Sequence, residues 1–321
     1  MLVPPPNPDD LLQDKAAFEY RFGPFRFHSE LEVPELRGIG GTGHTEVRIR
    51  VSEVAGEIPD AKAFGTQCQV APLSYLLDIP GVATFRVTGG NDVRVQVAAG
   101  APRSDIAAYL LGSVFGALCH QNGFLPLHAS AVAHGGSVTA FLGDSGAGKS
   151  TMAACLQARG YSIVSDDICL FQPQGDAMQF IPVAGWVKLW RTSLDHLGQV
   201  PEEQNRVFTA DDKFRQYLDP DPLDGLALRN LVFLERTASP DDPAGLARLG
   251  TPETIARMME LTYLAYITEL TGSHVRVFQQ CASVLKQASA HRLTIPWDLT
   301  RMDEVLDLLE RKVLAPEAGQ A

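Results

Sequence analysis

The segment Gly143–Ser150, GDSGAGKS, constrains this chain more than any other stretch. It matches the pattern G-x-x-x-x-G-K-[ST], in which glycines let backbone N–H groups surround a phosphate chain and a helix begins with its positive end toward the anion. The preceding residues Ser137–Leu142 are apolar and β-prone, and the following residues Thr151–Arg159 are helix-like and end at Gly160. The motif requires this order of strand, glycine loop and helix. The sequence therefore predicts an α/β fold with a nucleotide phosphate site at the loop.

The loop residues predict the cofactors. We expect the nucleotide to be bound by Gly143, Asp144, Ser145, Gly146, Ala147, Gly148, Lys149, Ser150 and Thr151. In loops of this kind the lysine reaches the β and γ phosphate oxygens, and the hydroxyl that follows it ligates Mg²⁺. Lys149 is therefore a predicted catalytic residue, Ser150 a predicted metal ligand, and ATP and Mg²⁺ the predicted cofactors.

Two consecutive carboxylates, Asp166 and Asp167, interrupt the apolar run Ser162–Phe171, SIVSDDICLF. A buried carboxylate is costly unless it meets a cation or a proton donor. We therefore expect one aspartate to lie near the metal and the other to accept the proton of an attacking hydroxyl or water, unless the pair only caps a turn. His128 lies one strand before the loop, where a lone histidine more often fills a core than catalyses.

Composition narrows the class of protein. The 321 residues carry a net charge of −11, with 45% hydrophobic and 20% charged residues, as in ordinary globular proteins. An acidic balance argues against nucleic acid as a partner. We also expect no membrane segment and a cytoplasmic location, since the sequence shows no signal peptide and no apolar run of spanning length. The five cysteines have no paired spacing that would indicate zinc or disulfides.

A change of pattern near residue 101 predicts two domains. Short alternating runs from Phe18 to Val97 indicate a small β-rich lobe, whereas helical spacing begins at Ser104. We therefore predict an amino-terminal tail and lobe over residues 1–100 and a catalytic domain over residues 101–321.

Two later segments also carry predictions. Residues Thr251–Leu270 have the spacing of one amphipathic helix. The polar segment Asp211–Arg215, DDKFR, indicates a loop in which Lys213 and Arg215 are solvated rather than in contact with nucleotide or acceptor.

Three elements together resemble the HPr kinase/phosphorylase family of bacterial protein-serine kinases. These are His128 before a hydrophobic strand, the loop GDSGAGKS, and the SDD that follows the next helix, so the likeness covers about residues 124–172. The resemblance implies a P-loop kinase domain of the phosphoenolpyruvate carboxykinase type. By position, it also implies that Asp166 is the general base toward a serine, that His128 supports it, and that Ser150 and Asp167 lie near Mg²⁺.

The chain departs from that family after the doublet. A family segment similar to Glu-Ile-Arg-Gly-Leu-Gly is absent, and Pro182–Arg191, PVAGWVKLWR, stands in its place. Lys188 and Arg191 could contact phosphate or substrate, but they cannot replace a carboxylate. The segments YRFGPFRFHSELEVPEL and HRLTIPWDLTRMDEVLDLLE are similar to HPr-kinase-like enzymes encoded with lasso peptides, which phosphorylate a serine of the precursor peptide.

The predicted function is an ATP- and Mg²⁺-dependent kinase that transfers the γ-phosphate to a serine hydroxyl of a small, lasso-type precursor peptide. An HPr kinase/phosphorylase acting on a carrier protein is one alternative. A nucleotide-gated binding module with vestigial transfer is another, because the family glutamate is missing. A carboxykinase acting on a small acid would need a further basic or metal-binding cluster that the sequence does not show. The resemblance also allows a homo-oligomer.

Overall fold

The computed structural model describes residues 17–183, 185–218 and 225–314. The expected amino-terminal tail lies outside these residues, as does the segment from Ala315, for which the sequence predicts a frayed end. The strands are β1 (Phe18–Ser29), β2 (Gly41–Val51), β3 (Lys62–Phe64), β4 (Cys68–Ala71), β5 (Ser74–Ile79), β6 (Ala83–Thr88), β7 (Asp92–Val97), β8 (Leu125–Leu127), β9 (Ala129–His134), β10 (Ser137–Leu142), β11 (Ser162–Ser165), β12 (Cys169–Gln174), β13 (Ala177–Ile181), β14 (Trp186–Trp190), β15 (Lys213–Tyr217), β16 (Ala227–Arg236), β17 (Gly245–Arg248) and β18 (Ser289–Ile295).

The α-helices are α1 (Arg103–Tyr109), α2 (Phe115–Gln121), α3 (Lys149–Ala158), α4 (Arg191–His196), α5 (Thr251–Glu260), α6 (Ala265–Thr271), α7 (His274–Val284) and α8 (Met302–Leu309). Tighter or wider helical turns cover Pro34–Leu36, Leu110–Val114, Glu203–Asn205, Leu299–Arg301 and Glu310–Leu314. The protein is therefore a mixed α/β structure with several sheets. No helix in the described part of the chain is long and apolar enough to cross a membrane.

The first seven strands form one sheet in the order β1-β2-β7-β6-β5-β4-β3. Alternate side chains of β6 and β7, among them Phe85 and Val93, are fully buried, as expected for strands with one face on a core. Strands β6 and β7 form a hairpin, since they pair antiparallel around Gly89–Asn91.

A second sheet positions the glycine loop. Its order is β11-β9-β10-β16-β18-β17. Strands β10, β16 and β18 are parallel. Because β9 is antiparallel to both β10 and β11, these last two strands also run in one direction. The carboxyl ends of β10, β11, β16 and β18 therefore meet at one edge, where ligands bind in open α/β sheets.

The prediction of one continuous helix over Thr251–Leu270 is wrong, because the structure has two helices there. Helix α5 ends at Glu260, and Leu264 has a left-handed φ of 55° before α6 begins. The residues between α5 and α6 instead pair with β8. The Tyr263 N–H donates to the carbonyl of Pro126, and Leu127 forms a β-bridge with Thr262. These tertiary hydrogen bonds compete with the helical ones at this point.

One apolar cluster joins the amino-terminal sheet to the rest of the chain. It includes Phe25 and Phe85 from the sheet and Phe115 and Leu118 from α2. Phe25 is fully buried, and its ring lies 5.5 Å from that of Phe115 in an edge-on arrangement. The sheet and α2 thus share a core across the boundary predicted near residue 101.

Candidate active site

The candidate site lies at the carboxyl edge of the second sheet. The glycine loop follows β10, and Asp166 follows β11. Strand β9 lies between them and runs the opposite way, so its first residues and His128 lie at the same edge. Sheet topology thus brings together the glycine loop, the aspartate doublet and His128, which lies 39 positions before Asp167 in the chain.

The backbone of the glycine loop requires glycine at two positions. Gly148 has a φ of 96°, which side chains disfavour, and α3 begins at the next residue. A Cβ on Gly143 would lie 3.0 Å from the carbonyl oxygen of Leu234, so the loop packs too closely on β16 for a side chain. Asp144, Ser145 and Gly146 are exposed at the loop surface. The first turn of α3 therefore points its free N–H groups toward the space that the loop surrounds.

Lys149 lies inside the loop. Its Nζ donates to the carbonyls of Gly143 at 2.8 Å and Asp144 at 2.9 Å. Burial lowers the pKa of Lys149 to about 8, while the carboxylates of Asp167 and Asp166 partly oppose that shift. Both carboxylates therefore favour the charged form of the Lys149 amine.

Two further loop residues differ in their surroundings. Ala147 is buried against the core that surrounds α3. Thr151 is also buried, and its hydroxyl lies 2.9 Å from the hydroxyl of Ser193 on α4. The Thr151 side chain thus ties α3 to α4, and only its backbone N–H is left for the predicted phosphate contact.

Asp166 is buried and held by two donors. Its Oδ1 accepts a hydrogen bond from the Ser130 hydroxyl at 2.7 Å, and its Oδ2 accepts one from the Lys188 N–H at 2.8 Å. The carboxylate is only 7% exposed. Two donors from different strands fix its orientation and leave lone pairs on each oxygen for a third proton donor.

Asp167 carries the charge that balances Lys188. Its Oδ2 accepts a hydrogen bond from the Lys188 Nζ at 2.8 Å. Burial by itself would raise the pKa of Asp167, but the ammonium of Lys188 lowers it well below its usual value. Asp167 also has a positive φ of 71°, a conformation that costs energy outside glycine. The doublet is therefore ionised at Asp167 and strained at the same residue.

His128 contacts Asp167 through its ring. Its Nδ1 lies 3.0 Å from the backbone carbonyl of Asp167 and 3.5 Å from the carboxylate Oδ1 of the same residue. Because a carbonyl only accepts, Nδ1 carries the proton. Burial lowers the pKa of His128, so the ring is neutral at physiological pH and Nε2 has a free lone pair. The other side of the ring packs on Tyr263 at 5.8 Å.

Arg191 lies in a separate ion-pair network. Its guanidinium donates to Asp212 at 2.9 Å and to Glu203 at 3.3 Å, and it stacks on Phe214 at 5.0 Å. Within the described residues no hydrogen bond or ion pair joins Arg191 to the loop or the doublet. Its predicted role in phosphate or substrate binding stays a prediction, whereas Lys188 contacts both aspartates.

The expectation of a solvated Lys213 and Arg215 is wrong. Both lie on β15, which pairs with β14 so that Arg215 is opposite Lys188 and Lys213 is opposite Trp190. Arg215 is 2% exposed and lies 3.8 Å from Glu35. Lys213 is half-buried, has no carboxylate partner among the described residues, and shifts the pKa values of both Lys149 and Asp167.

Lys213 therefore lies on the same face of the β14–β15 pair as Lys188, with its Nζ 5.8 Å from the centre of the Trp190 ring, a position that the loop interpretation missed. The sequence pattern that could have indicated a strand here is the alternation in KFRQY, in which Phe214 faces inward and its neighbours face the other way.

Magnesium fits the donor types that the site offers. Ser150 lies in the first turn of α3 and Asp167 at the doublet, and hydroxyl and carboxylate oxygens are the ligands that Mg²⁺ prefers. The described residues contain no group of three or more His, Cys, Asp or Glu side chains that could hold a metal by themselves. Ser150 and Asp167 would thus hold an ion whose other ligands are phosphate oxygens and water.

Comparisons with known proteins give little further guidance. No protein-family model matches the chain, and no curated protein does. Among the solved structures 44 chains match. One is the HPr(Ser) kinase/phosphatase from Coxiella burnetii, with a TM-score of 0.27 and 12% identity over 58% of this chain and 90% of that one. A TM-score this low does not establish a shared fold, so the function must be inferred from the site itself.

Proposed function

We propose that this protein is an ATP- and Mg²⁺-dependent kinase that transfers the γ-phosphate to a serine hydroxyl. The observation that carries the proposal is that a glycine loop of the phosphate-binding type and an oriented, buried carboxylate, Asp166, lie at the same edge of the second sheet. Kinases need little beyond positioning and charge neutralisation around a transferring phosphate.

Each group has a role in the transfer. Asp166 takes the proton of the serine hydroxyl as the serine oxygen forms a bond to the γ-phosphorus. The bond from that phosphorus to the β–γ bridging oxygen breaks, and ADP leaves with the electron pair. Lys149 balances the charge that develops on the phosphate oxygens, and His128 holds the doublet in place through the Asp167 carbonyl. Ser150 and Asp167 would hold Mg²⁺, which would supply further charge neutralisation at the phosphates.

We propose a precursor peptide of the lasso type as the acceptor, on the likeness of the two sequence segments named above. A cavity of about 10 Å³ lies beside Asp166 and Asp167 among the buried rings of Phe22, Phe115 and Trp186. It has room for about one water, so the acceptor serine must approach Asp166 from another side. Phe22 belongs to β1, so the amino-terminal sheet packs close to the doublet.

Mass spectrometry tests the proposal. The purified protein is incubated with Mg-ATP and serine peptides in one reaction, and with Mg-ATP and an HPr-type carrier protein in another. The variant Lys149→Met is the control. We expect one phosphate on a serine peptide with the parent protein and none with the variant. Phosphate on the carrier alone would move the assignment to the HPr kinase/phosphorylase alternative. Failure to bind Mg-ATP at all would overturn the proposal.

One observation favours a second candidate, a nucleotide-gated binding module. Lys188 already neutralises Asp167, the carboxylate expected to serve the metal, and it lies on the segment where the family glutamate is missing. In that case ATP would order the site for a partner without transfer. Tight Mg-ATP binding, together with no phosphopeptide from any acceptor, would support the module over the kinase.

A further inference from the structure

A second group of side chains lies on the opposite flank of the glycine loop from the aspartates. Strand β16 pairs with β10 on the side away from β9 and β11, and β18 follows β16. Arg236 is the last residue of β16, and Trp297 lies two residues beyond the end of β18. Because both strands are parallel to β10, these side chains and the loop lie at one edge of the sheet.

Arg236 connects this group to the loop. Its Nη2 donates to the carbonyl of Gly146 at 2.7 Å, and its Cζ lies 3.2 Å from the centre of the Trp297 ring. The guanidinium therefore stacks on the indole ring and also donates a hydrogen bond to the tip of the glycine loop. Ile295 reaches the same loop, since its Cδ1 would lie 3.8 Å from a Cβ on Gly148.

Packing does not account for this pair. Trp297 is 52% exposed, although it is the largest apolar side chain in the segment that follows β18. Arg236 is exposed and has no ion pair with any carboxylate in the described part of the chain. An arginine and a tryptophan that remain open to solvent, yet are fixed against a phosphate loop, form a planar surface beside a polyanion site.

A bound nucleoside triphosphate has two ends, and the site has two flanks. In the proposed reaction the γ-phosphate faces the aspartates beyond β9. The base must then extend toward the other flank, over the ends of β16 and β18. Nucleobases stack on tryptophan rings and on guanidinium planes.

We infer that Trp297 and Arg236 form the surface on which the base of the bound nucleoside triphosphate stacks. This inference rests on the nucleotide binding proposed above and adds the site for the base. Loss of a base–aromatic stack weakens binding by roughly tenfold or more.

Binding calorimetry with two ligands tests the inference. One ligand is Mg-ATP, and the other is Mg-ribose 5-triphosphate, which has the same sugar and phosphates and lacks the base. With Trp297→Ala we expect the affinity for ATP to fall about tenfold and the affinity for ribose triphosphate to stay the same. Trp297→Phe should restore most of the loss. Phe278→Ala, which removes an aromatic ring of similar exposure (49%) on α7, should change neither affinity.

The outcomes separate the two proposals. If Trp297→Ala leaves ATP affinity unchanged, or weakens both ligands equally, the base does not stack there, while the phosphate site stands. If this variant fails to fold, the two affinities of the parent protein test the inference by themselves. Equal affinity for ATP and ribose triphosphate would mean that no surface contacts the base. If the parent protein binds neither ligand, the proposed function itself fails.

Discussion

Asp166 is the residue on which transfer should depend most. Substitution Asp166→Asn keeps the shape, because the amide oxygen can still accept the Lys188 N–H while the Ser130 hydroxyl turns to accept from the amide nitrogen. An amide cannot take a proton from serine, so the rate of transfer should fall roughly 10²- to 10⁴-fold. Phosphopeptide formation measures the rate and calorimetry the affinity for Mg-ATP, which should stay unchanged. Asp176→Asn, at an exposed turn, is the control; transfer by Asp166→Asn at the parent rate would remove Asp166 from the role of base.

Lys149 should make nucleotide binding dependent on pH. Burial lowers the pKa of Lys149 to about 8, so the amine is charged below that pH and neutral above it. The affinity for Mg-ATP should therefore decline as pH rises from 7.5 to 9.5, by at most tenfold per pH unit. Lys149→Arg stays charged over this range, so its affinity should be flat even if it is weaker. A flat profile for the parent protein would show that the Lys149 charge does not contribute.

At the same scale, the sequence indicated the types of the site residues better than their partners. The spacing of GDSGAGKS predicted the loop, and the doublet marked the end of β11. The sequence could not show that Lys188 would neutralise Asp167. That contact depends on the position of β14, where the backbone N–H of Lys188 also donates to Asp166. Arg215 was missed because a polar segment was taken as a loop, although strand pairing buries it.

Among the elements, the segment between α5 and α6 could not be predicted from helical spacing. Residues Thr262–Leu264 hold β8 and the ring of His128, and these contacts come from residues more than 130 positions earlier in the chain. The close approach of α2 to this segment can be tested. A Cβ on Gly116 would lie 2.7 Å from the Tyr263 ring, whereas a Cβ on Gly112 would lie 3.3 Å from the Tyr263 hydroxyl.

Gly116→Ala should therefore destabilise the protein by about 1–3 kcal/mol, because the ring of Tyr263 must move. Gly112→Ala, one turn earlier, should change the free energy of unfolding by no more than about 1 kcal/mol, since a small shift relieves its contact and alanine favours helix. Urea denaturation of both variants measures the difference. Equal destabilisation would mean that Tyr263 does not pack on Gly116 as described.

Across the whole molecule, the sequence predicted two regions from their patterns but not the core that they share. Phe25 and Phe115 are 90 positions apart, and nothing in either segment indicates that their rings meet. The same limit applies to Arg236 and Trp297, which meet only because β16 and β18 are neighbours. Long-range neighbours of this kind follow from strand order, which local periodicity does not encode.

The shared core predicts how the chain unfolds. Phe25 is fully buried and lies within 5.8 Å of the rings of Phe27, Phe115 and Phe124. Phe25→Ala should destabilise the protein by about 3–5 kcal/mol through lost burial and the cavity that remains. Because the cluster spans the boundary near residue 101, far-UV circular dichroism and tryptophan fluorescence should still report one urea transition, shifted together. Phe278→Ala should leave the midpoint in place. Two separated transitions in Phe25→Ala would mean that the amino-terminal sheet unfolds as an independent domain, so that contacts other than this cluster stabilise the catalytic part.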